Sequence, residues 1–516
     1  MTIRNLEMML RPQSVALIGA SSRPGSIGNT VASNLVAGGF GGRIDLVNPH
    51  EVEIAGIRCH ASVGDLDRAP ELAIIATPPE TIPEIVQELA ARGTRAIVII
   101  SAGMTSLRRS QMLEAGRSLC VRILGPNCIG LLVPPLGLNA SFAHRTTKPG
   151  KLAFLSQSGA LVTALIDWAA GNDIGFSHIV SLGDMADVDF GDLLDFLAGD
   201  PDCSAILMYV EAITQAPKFM SAARRAARVK PVIAIKAGRH ASAAQAAHSH
   251  TGALAGSDAA YGAAFRRAGI LRVNELGDLF AAAEMISATS TVKGERLAIL
   301  TNGGGAGVLA TDTLADLQGI LATLSPKTID ALNAAMPATW SKGNPVDIIG
   351  DADGDRYAEA LEILLADPES DAVLVINCPT ALSSSTDIAE AVVQVADARG
   401  RGKTLITNWL GAGSAAPARR LFNSHRLPTY ETPAAAVQGF MQLVKYGRAQ
   451  DSLMQTPSRP DESRPVDRSK AQAVIASALV AQRMMLSEPE GKELLSAYGI
   501  PVVDTRIATK IGRAHV

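Results

Sequence analysis

The sequence predicts an α/β protein built from several doubly wound domains, on three grounds. Short Val- and Ile-rich segments alternate with amphipathic ones through the first 130 residues, which implies a parallel sheet with right-handed crossovers. A pattern seen near residue 152 returns near residue 297. Finally, 516 residues at roughly 100–200 per domain require three or four domains.

In chain order, SVALIG (14–19), RIDLVN (43–48), LAIIA (72–76), AIVIIS (96–101) and VRILG (121–125) read as strands, each at the edge of a turn signal. TIPEIVQELAARG (81–93) is one of the amphipathic helices between them, and together these elements define a first domain over residues 1–135. A second unit opens near Lys151 and is assigned 150–290; a third opens near Arg296 and is assigned 295–448. LAFLSQSGA (152–160) aligns with LAILTNGGG (297–305) at an offset of 145 residues, each an apolar strand running into a small-residue turn that opens a helix. SAILMYVEA (204–212) corresponds loosely to DAVLVINCP (371–379), and PVIAIKAG (231–238) to TLITNWLG (404–411). Two copies of one flavodoxin-like unit explain this more simply than a single very large sheet. A polar, Pro- and Ser-rich linker follows over 449–470. An amphipathic helix and then SEPEGKELLSAYGIPVVDT (487–505), a helix running into a strand, open a fourth domain over 471–510. The last six residues, IGRAHV (511–516), are what the start of a common sequencing adapter encodes, so the native sequence is expected to end near Lys510 with this fourth domain truncated.

Hydrophobic residues make up 47% and charged residues 19%, which suits several packed cores and not a disordered chain. Lys and Arg number 47 against 50 Asp and Glu, with no basic run, so neither nucleic acid nor an anionic membrane is an expected partner. No apolar run approaches the ~20 residues of a membrane span, and the N-terminus lacks a secretory pattern. The expected location is the cytoplasm. Cysteines at 59, 120, 128, 203 and 378 form no CxxC pair, which points to a reducing compartment and no metal site.

Five segments could carry chemistry. In GASSRPGSIG (19–28) the glycines let the backbone approach a diphosphate, the following helix offers its N-terminal N–H groups, and Arg23 adds charge; a structural glycine turn is the alternative. The second strand ends in Asn48 and Pro49 where a dinucleotide site wants an acid, so a NAD-dependent oxidoreductase is disfavoured. LGPNCIG (124–130) sets Pro126, Asn127 and Cys128 at a strand end, where ligands bind in α/β sheets; a buried turn is an equal reading, and no base can be assigned to Cys128 as a nucleophile. SQSGA (156–160) and TNGGGAG (301–307) cluster backbone N–H groups that suit phosphate, or serve simply as helix caps. HASAAQAAHSHTGALAGS (240–257) has three histidines and Leu254 as its only bulky residue. It reads as a mobile loop, with an Ala-rich surface helix or a solvated loop as alternatives. A histidine that accepts a phosphoryl group needs its second ring nitrogen oriented, and Glu211, ending the strand AILMYVE, is a candidate for that role or an ordinary strand-end residue.

With GASSRPGSIG, VNP, GPNCIG, SQSGA, SHTGALAGSD and NPVDI in this order, the sequence resembles the ADP-forming acyl-CoA synthetases of the succinyl-CoA synthetase superfamily, acetate–CoA ligase (ADP-forming) being the nearest named activity. The resemblance runs from about Pro12 to Val503. It implies a CoA-binding Rossmann-like domain, two flavodoxin-like ligase domains and the start of an ATP-grasp domain. It also implies that phosphate converts acyl-CoA to acyl phosphate and free CoA, and that a histidine then carries the phosphoryl group to a distant ADP. By motif, His250 in SHTG is the phosphorylated residue, His248 lies one step outside the pattern, and Glu211 supports His250. Gly19, Ser21, Ser22, Arg23 and Gly28 would line the CoA phosphates, with Asn48 and Pro49 near the adenosine and Asn127 also in the CoA site. Ser158, Gly159, Gly304 and Gly305 would form the phosphate site facing His250. Asp184 stands where many relatives have Asn. Partners are a small carboxylic acid and CoA, with a homo-oligomer left open; ADP or ATP with Mg would belong to the rest of the ATP-grasp domain. As a truncated chain it is expected to manage only the acyl phosphate and phosphohistidine steps. The alternative implied by related chains is an acyl-CoA-binding regulatory scaffold fused to a protein N-acetyltransferase.

Overall fold

The structure is a computed structural model describing residues 3–171, 174–240, 257–288, 294–399, 402–455 and 466–505. Residues 1–454 make one compact unit and 455–516 another.

The first sheet of the larger unit contains β1 (Ser14–Ile18), β2 (Arg43–Val47), β3 (Glu53–Ile54), β4 (Ile57–His60), β5 (Leu72–Ile75), β6 (Ala96–Ile99) and β7 (Arg122–Leu124), in the order β3-β4-β2-β1-β5-β6-β7. Only the β3–β4 pair is antiparallel. Along β1, Val15 and Leu17 enter one core while Ala16 and Ile18 enter another, so both faces are buried and the strand reads as a continuous apolar run. Strand order reverses at β1, and the crevice at the carboxyl ends of β1 and β5, the switch point, is where such sheets take ligands.

The second sheet holds β8 (Gly130–Val133), β9 (Leu138–Ser141), β10 (Pro149–Ser156), β11 (Phe176–Ser181), β12 (Ala205–Val210), β13 (Val232–Lys236) and β14 (Leu271–Val273), ordered β14-β13-β12-β10-β11-β8-β9. The third holds β15 (Arg296–Thr301), β16 (Ile320–Leu321), β17 (Val346–Asp347), β18 (Ala372–Asn377), β19 (Thr404–Trp409) and β20 (Thr429–Tyr430), ordered β16-β15-β18-β19-β20 with β17 also on β15. The parallel strands β11-β10-β12-β13-β14 and β16-β15-β18-β19-β20 have one topology, so the internal repeat is a repeat of fold.

The β8–β9 hairpin runs antiparallel to β11, and its turn contains residue 135, the expected edge of the first domain. It was not expected as strand, because Pro134 and Pro135 read as loop and the strand is buried throughout, with no alternation to betray it. The helix Pro433–Met454 continues past 448 into the expected linker. It fills two cores at once: Tyr446 packs with Phe154 and Phe280 under the second sheet, and Phe440 and Val444 pack with Ile299 and Leu374 under the third.

In the smaller unit the described residues form helices Arg468–Val480 and Glu488–Ala497. Residues 501–505, expected to start a strand, form no ladder. No helix among the described residues is long and apolar enough to cross a membrane.

Candidate functional site

The first ligand edge is the turn after β1. Gly19 has φ +88°, and a Cβ there would lie 2.8 Å from the Ala76 carbonyl oxygen. A Cβ on Gly28 would lie 2.1 Å from the Gly19 carbonyl oxygen, so the two glycines let the loop fold back on the helix Ile27–Ala37. Ser26 caps that helix by accepting from Asn29 N, and Asn29 Nδ2 donates to the Ser21 carbonyl. Asn48 Nδ2 donates to the Ala20 carbonyl at 2.6 Å and its Oδ1 accepts from His50 N at 2.8 Å, tying the end of β2 to the glycine turn. Ser22 donates through Oγ (2.6 Å) and N (3.1 Å) to Glu51, and these bonds hold the Glu51 carboxyl below its usual range. Arg23 and Pro49 are exposed at the rim. Glu51 was missed in the sequence because it falls beyond the strand end where an acid is normally sought.

The second element is the junction between the first two sheets. Asn127 adopts φ +59° and donates from its backbone N to Ser101 O at 3.1 Å, while its Nδ2 donates to Asp184 Oδ1 at 3.1 Å. Asp184 N donates to Pro126 O at 2.9 Å, and Arg109 donates to the Asp184 carbonyl at 3.1 Å. A Cβ on Gly183 would sit 2.2 Å from Pro126 O, so the loop after β11 presses directly on the GPN turn. Cys128 is buried, with Sγ donating to Ile99 O at 3.3 Å, and burial pushes its thiol up to about 12. A thiol so desolvated supplies no thiolate, which removes it as a nucleophile.

The third element is a turn built twice. After β10, Ser158 N donates to Ser156 Oγ at 3.1 Å, Ser156 Oγ donates to Ser158 O at 2.9 Å, and the helix Gly159–Gly171 begins. After β15, Gly303 N donates to Thr301 Oγ1 at 3.1 Å, Thr301 Oγ1 donates to Gly303 O at 3.1 Å, and the helix Gly304–Asp316 begins. The residue between is used alike in both copies. Gln157 Oε1 accepts from Glu211 N (2.6 Å) and Ala212 N (2.9 Å) beyond β12. Asn302 Oδ1 accepts from Cys378 N (2.8 Å) beyond β18, and its Nδ2 donates to the Cys378 carbonyl. Cys378 is therefore the third sheet's counterpart of Glu211. A Cβ on Gly304 would lie 2.9 Å from an Asp347 oxygen, whereas Gly305 faces open space.

Ser158, Gly159 and Glu211 are thus brought together through Gln157 on the second sheet, and Gly304 and Gly305 with Asp347 on the third. His250 and His248 lie outside the described residues. Gln157, Asn302, Asp347 and Cys378 were missed; the repeat carried the signal for the first two, since both fall at one aligned position.

A nucleotide-type crevice ahead of two copies of a glycine-turn unit is the layout of a CoA ligase. Residues 13–134 match the family described as a CoA binding domain, 149–286 the succinyl-CoA ligase like flavodoxin domain, and 297–452 the ligase-CoA domain. Acetate–CoA ligase (ADP-forming) I of Archaeoglobus fulgidus is 36% identical over 519 residues, covering 99% of this chain and 73% of the relative. The alpha subunit of acetate–CoA ligase (ADP-forming) I of Pyrococcus furiosus is 38% identical over 454 residues, 86% of this chain and 98% of the subunit. A dinucleotide-forming acetyl-coenzyme A synthetase 1 of Ca. Korarchaeum cryptofilum, solved with phosphate and ADP, superposes with a TM-score of 0.79 at 35% identity over 88% of this chain and 99% of its own. The chain belongs to the ADP-forming acyl-CoA synthetase family and is an acid–thiol ligase.

Proposed function

We propose that this chain interconverts acyl-CoA and phosphate with a carboxylic acid, CoA and a phosphohistidine on His250, and that the phosphoryl group passes on to ADP. The observation that carries the reading is the duplicated turn, which presents two helix N-termini with clustered N–H groups, one of them bonded through Gln157 to the strand end bearing Glu211. A phosphate oxygen attacks the thioester carbonyl, the C–S bond breaks, and CoA leaves as a thiolate that takes up a proton. An imidazole nitrogen of His250 then attacks phosphorus, the acyl carboxylate departs, and Glu211 accepts a hydrogen bond from the other ring nitrogen, stabilising its developing charge. Gly19, Ser21, Ser22, Arg23, Gly28, Asn48, Pro49 and Asn127 are assigned to CoA, and Ser158, Gly159, Gly304 and Gly305 to phosphate.

The relatives' activities support a ligase over an acyl-CoA-sensing scaffold. The test is incubation with acetyl-CoA and radiolabelled phosphate. Acid-labile, base-stable label is expected on the wild-type protein and on His248→Ala, and none on His250→Ala. Label persisting in His250→Ala removes the assignment.

A further inference from the structure

The turn assigned to CoA already holds an anion of its own. Arg23 N donates to Ser21 Oγ at 3.1 Å, Ser26 N to the Arg23 carbonyl at 3.2 Å and Asn29 N to Ser26 Oγ at 3.2 Å, so these donors are answered within the turn and its helix. Ser22 is answered from outside. Its N and its Oγ donate to the same oxygen, Glu51 Oε1, at 3.1 and 2.6 Å. An anionic oxygen that collects a backbone N–H and a hydroxyl from a glycine turn ahead of a helix does what a phosphate oxygen does there. Asn48, bonded to the Ala20 carbonyl, ties the end of β2 to the same turn without Ser22, so the join between the two does not depend on Glu51. The Ser22–Glu51 pair is exposed, and a displaced carboxylate can turn into water.

We propose that Glu51 is an affinity-determining residue for CoA: its carboxylate stands where a diphosphate oxygen of CoA binds Ser22 and leaves when CoA enters. This deepens the assignment of the turn to CoA and rests on it. The exchange is a swap of anions. Ser22 N–H and O–H break their bonds to Glu51 Oε1 and re-form them to phosphate, while the carboxylate takes up water. The bonds from Ser22 hold the Glu51 carboxyl below its usual range, so it is charged at neutral pH and also repels the incoming phosphate. When acyl phosphate forms, CoA is the product, and a turn with a competing anion at hand releases it sooner.

The experiment is calorimetry of CoA binding to the full chain. Glu51→Ala and Glu51→Gln are each expected to tighten binding about fivefold, as loss of an exposed charge-assisted competitor should, and added salt should shrink the gain. In a Ser22→Ala background most of the gain disappears; an equal gain there makes Glu51 a general surface charge and overturns the proposal. Dephospho-CoA, which keeps the diphosphate and lacks the ribose 3′-phosphate, is expected to gain as CoA does, and a gain confined to CoA overturns the diphosphate exchange. If Glu51→Ala loosens the turn and weakens binding, Glu51→Gln decides, because its amide oxygen can keep the Ser22 bonds without the charge: tighter binding supports the proposal, and unchanged or weaker binding overturns it. Absence of a gain in both variants, with CoA binding weakened in Gly28→Ala, overturns the role of Glu51 alone. Binding unchanged in Gly28→Ala overturns the assignment of the turn to CoA and this role with it.

Discussion

One added methyl group at Gly28 would place a carbon 2.1 Å from the Gly19 carbonyl oxygen and 3.2 Å from Ser21 N, both backbone atoms that cannot rotate away. Gly28→Ala is therefore expected to displace the loop and weaken CoA binding at least tenfold by calorimetry. Gly25→Ala, at φ +77° with open space around it, should cost only about 1 kcal/mol of local strain. Equal affinities in the two variants would mean that CoA does not use this turn. Cys128 carries an opposite expectation, inertness to alkylation in the native protein at neutral pH, because its thiol is pushed up to about 12. At this scale the sequence made the glycines readable, since the need for a missing side chain is written in the residue itself. It could not make Glu51 readable: an acid hydrogen-bonded to Ser22 acquires its meaning from a neighbour distant in the chain.

Between elements, Asn344 shows how a side chain completes a sheet. Strand β15 pairs with β16 at Arg296 and Leu297 and with β17 at Leu300 and Thr301, and Asn344 spans the gap on that edge. Its Oδ1 accepts from Ile299 N, and its Nδ2 donates to Leu297 O and Ala322 O. Asn344→Ala orphans these backbone groups and is expected to cost roughly 3 kcal/mol, read as a lower denaturant midpoint with an unchanged slope. The motif NPVDI was visible in the sequence, but this use of its first residue was not. The strands β1, β2, β5, β6 and β7 were legible because a sheet buried on both faces leaves dense Val and Ile runs. The hairpin Gly130–Ser141 was not, since its partner β11 lies further along the chain and its proline turn resembles an ordinary loop.

Across the larger unit, the first two sheets are tied at a distance from the ligand edge. Arg11, ahead of β1, reaches Asp200 at 2.5 Å and Asp202 at 2.9 Å beyond the helix Phe190–Gly199. The other Asp200 oxygen lies 3.5 Å from His178 Nε2, and His178 is 2% exposed. Burial drives this imidazole down to about 4 despite the neighbouring Asp200. An unfolded chain would hold the proton from about 6.5 downward while the folded one does not, so stability falls as pH drops from 6.5 towards 4 and this contribution levels off below. The loss is on the order of 3 kcal/mol at most, and His178→Gln should flatten the slope of the denaturation midpoint across that window. A slope unchanged in His178→Gln would place the titration elsewhere.

The helix Pro433–Met454 gives the duplicated architecture a lasting asymmetry. Its Tyr446 and Leu453 plug cores lying under earlier sheets, while Phe440 and Val444 serve the sheet that precedes it in sequence. The earlier half of the tandem is thus not self-sufficient in its own span of polypeptide, although both halves follow one pattern. A gene divided near residue 290 should yield two sticky, insoluble fragments, whereas division after Met454 keeps the buckle fastened, and permanent subunit borders in this lineage would be confined to the far side of it.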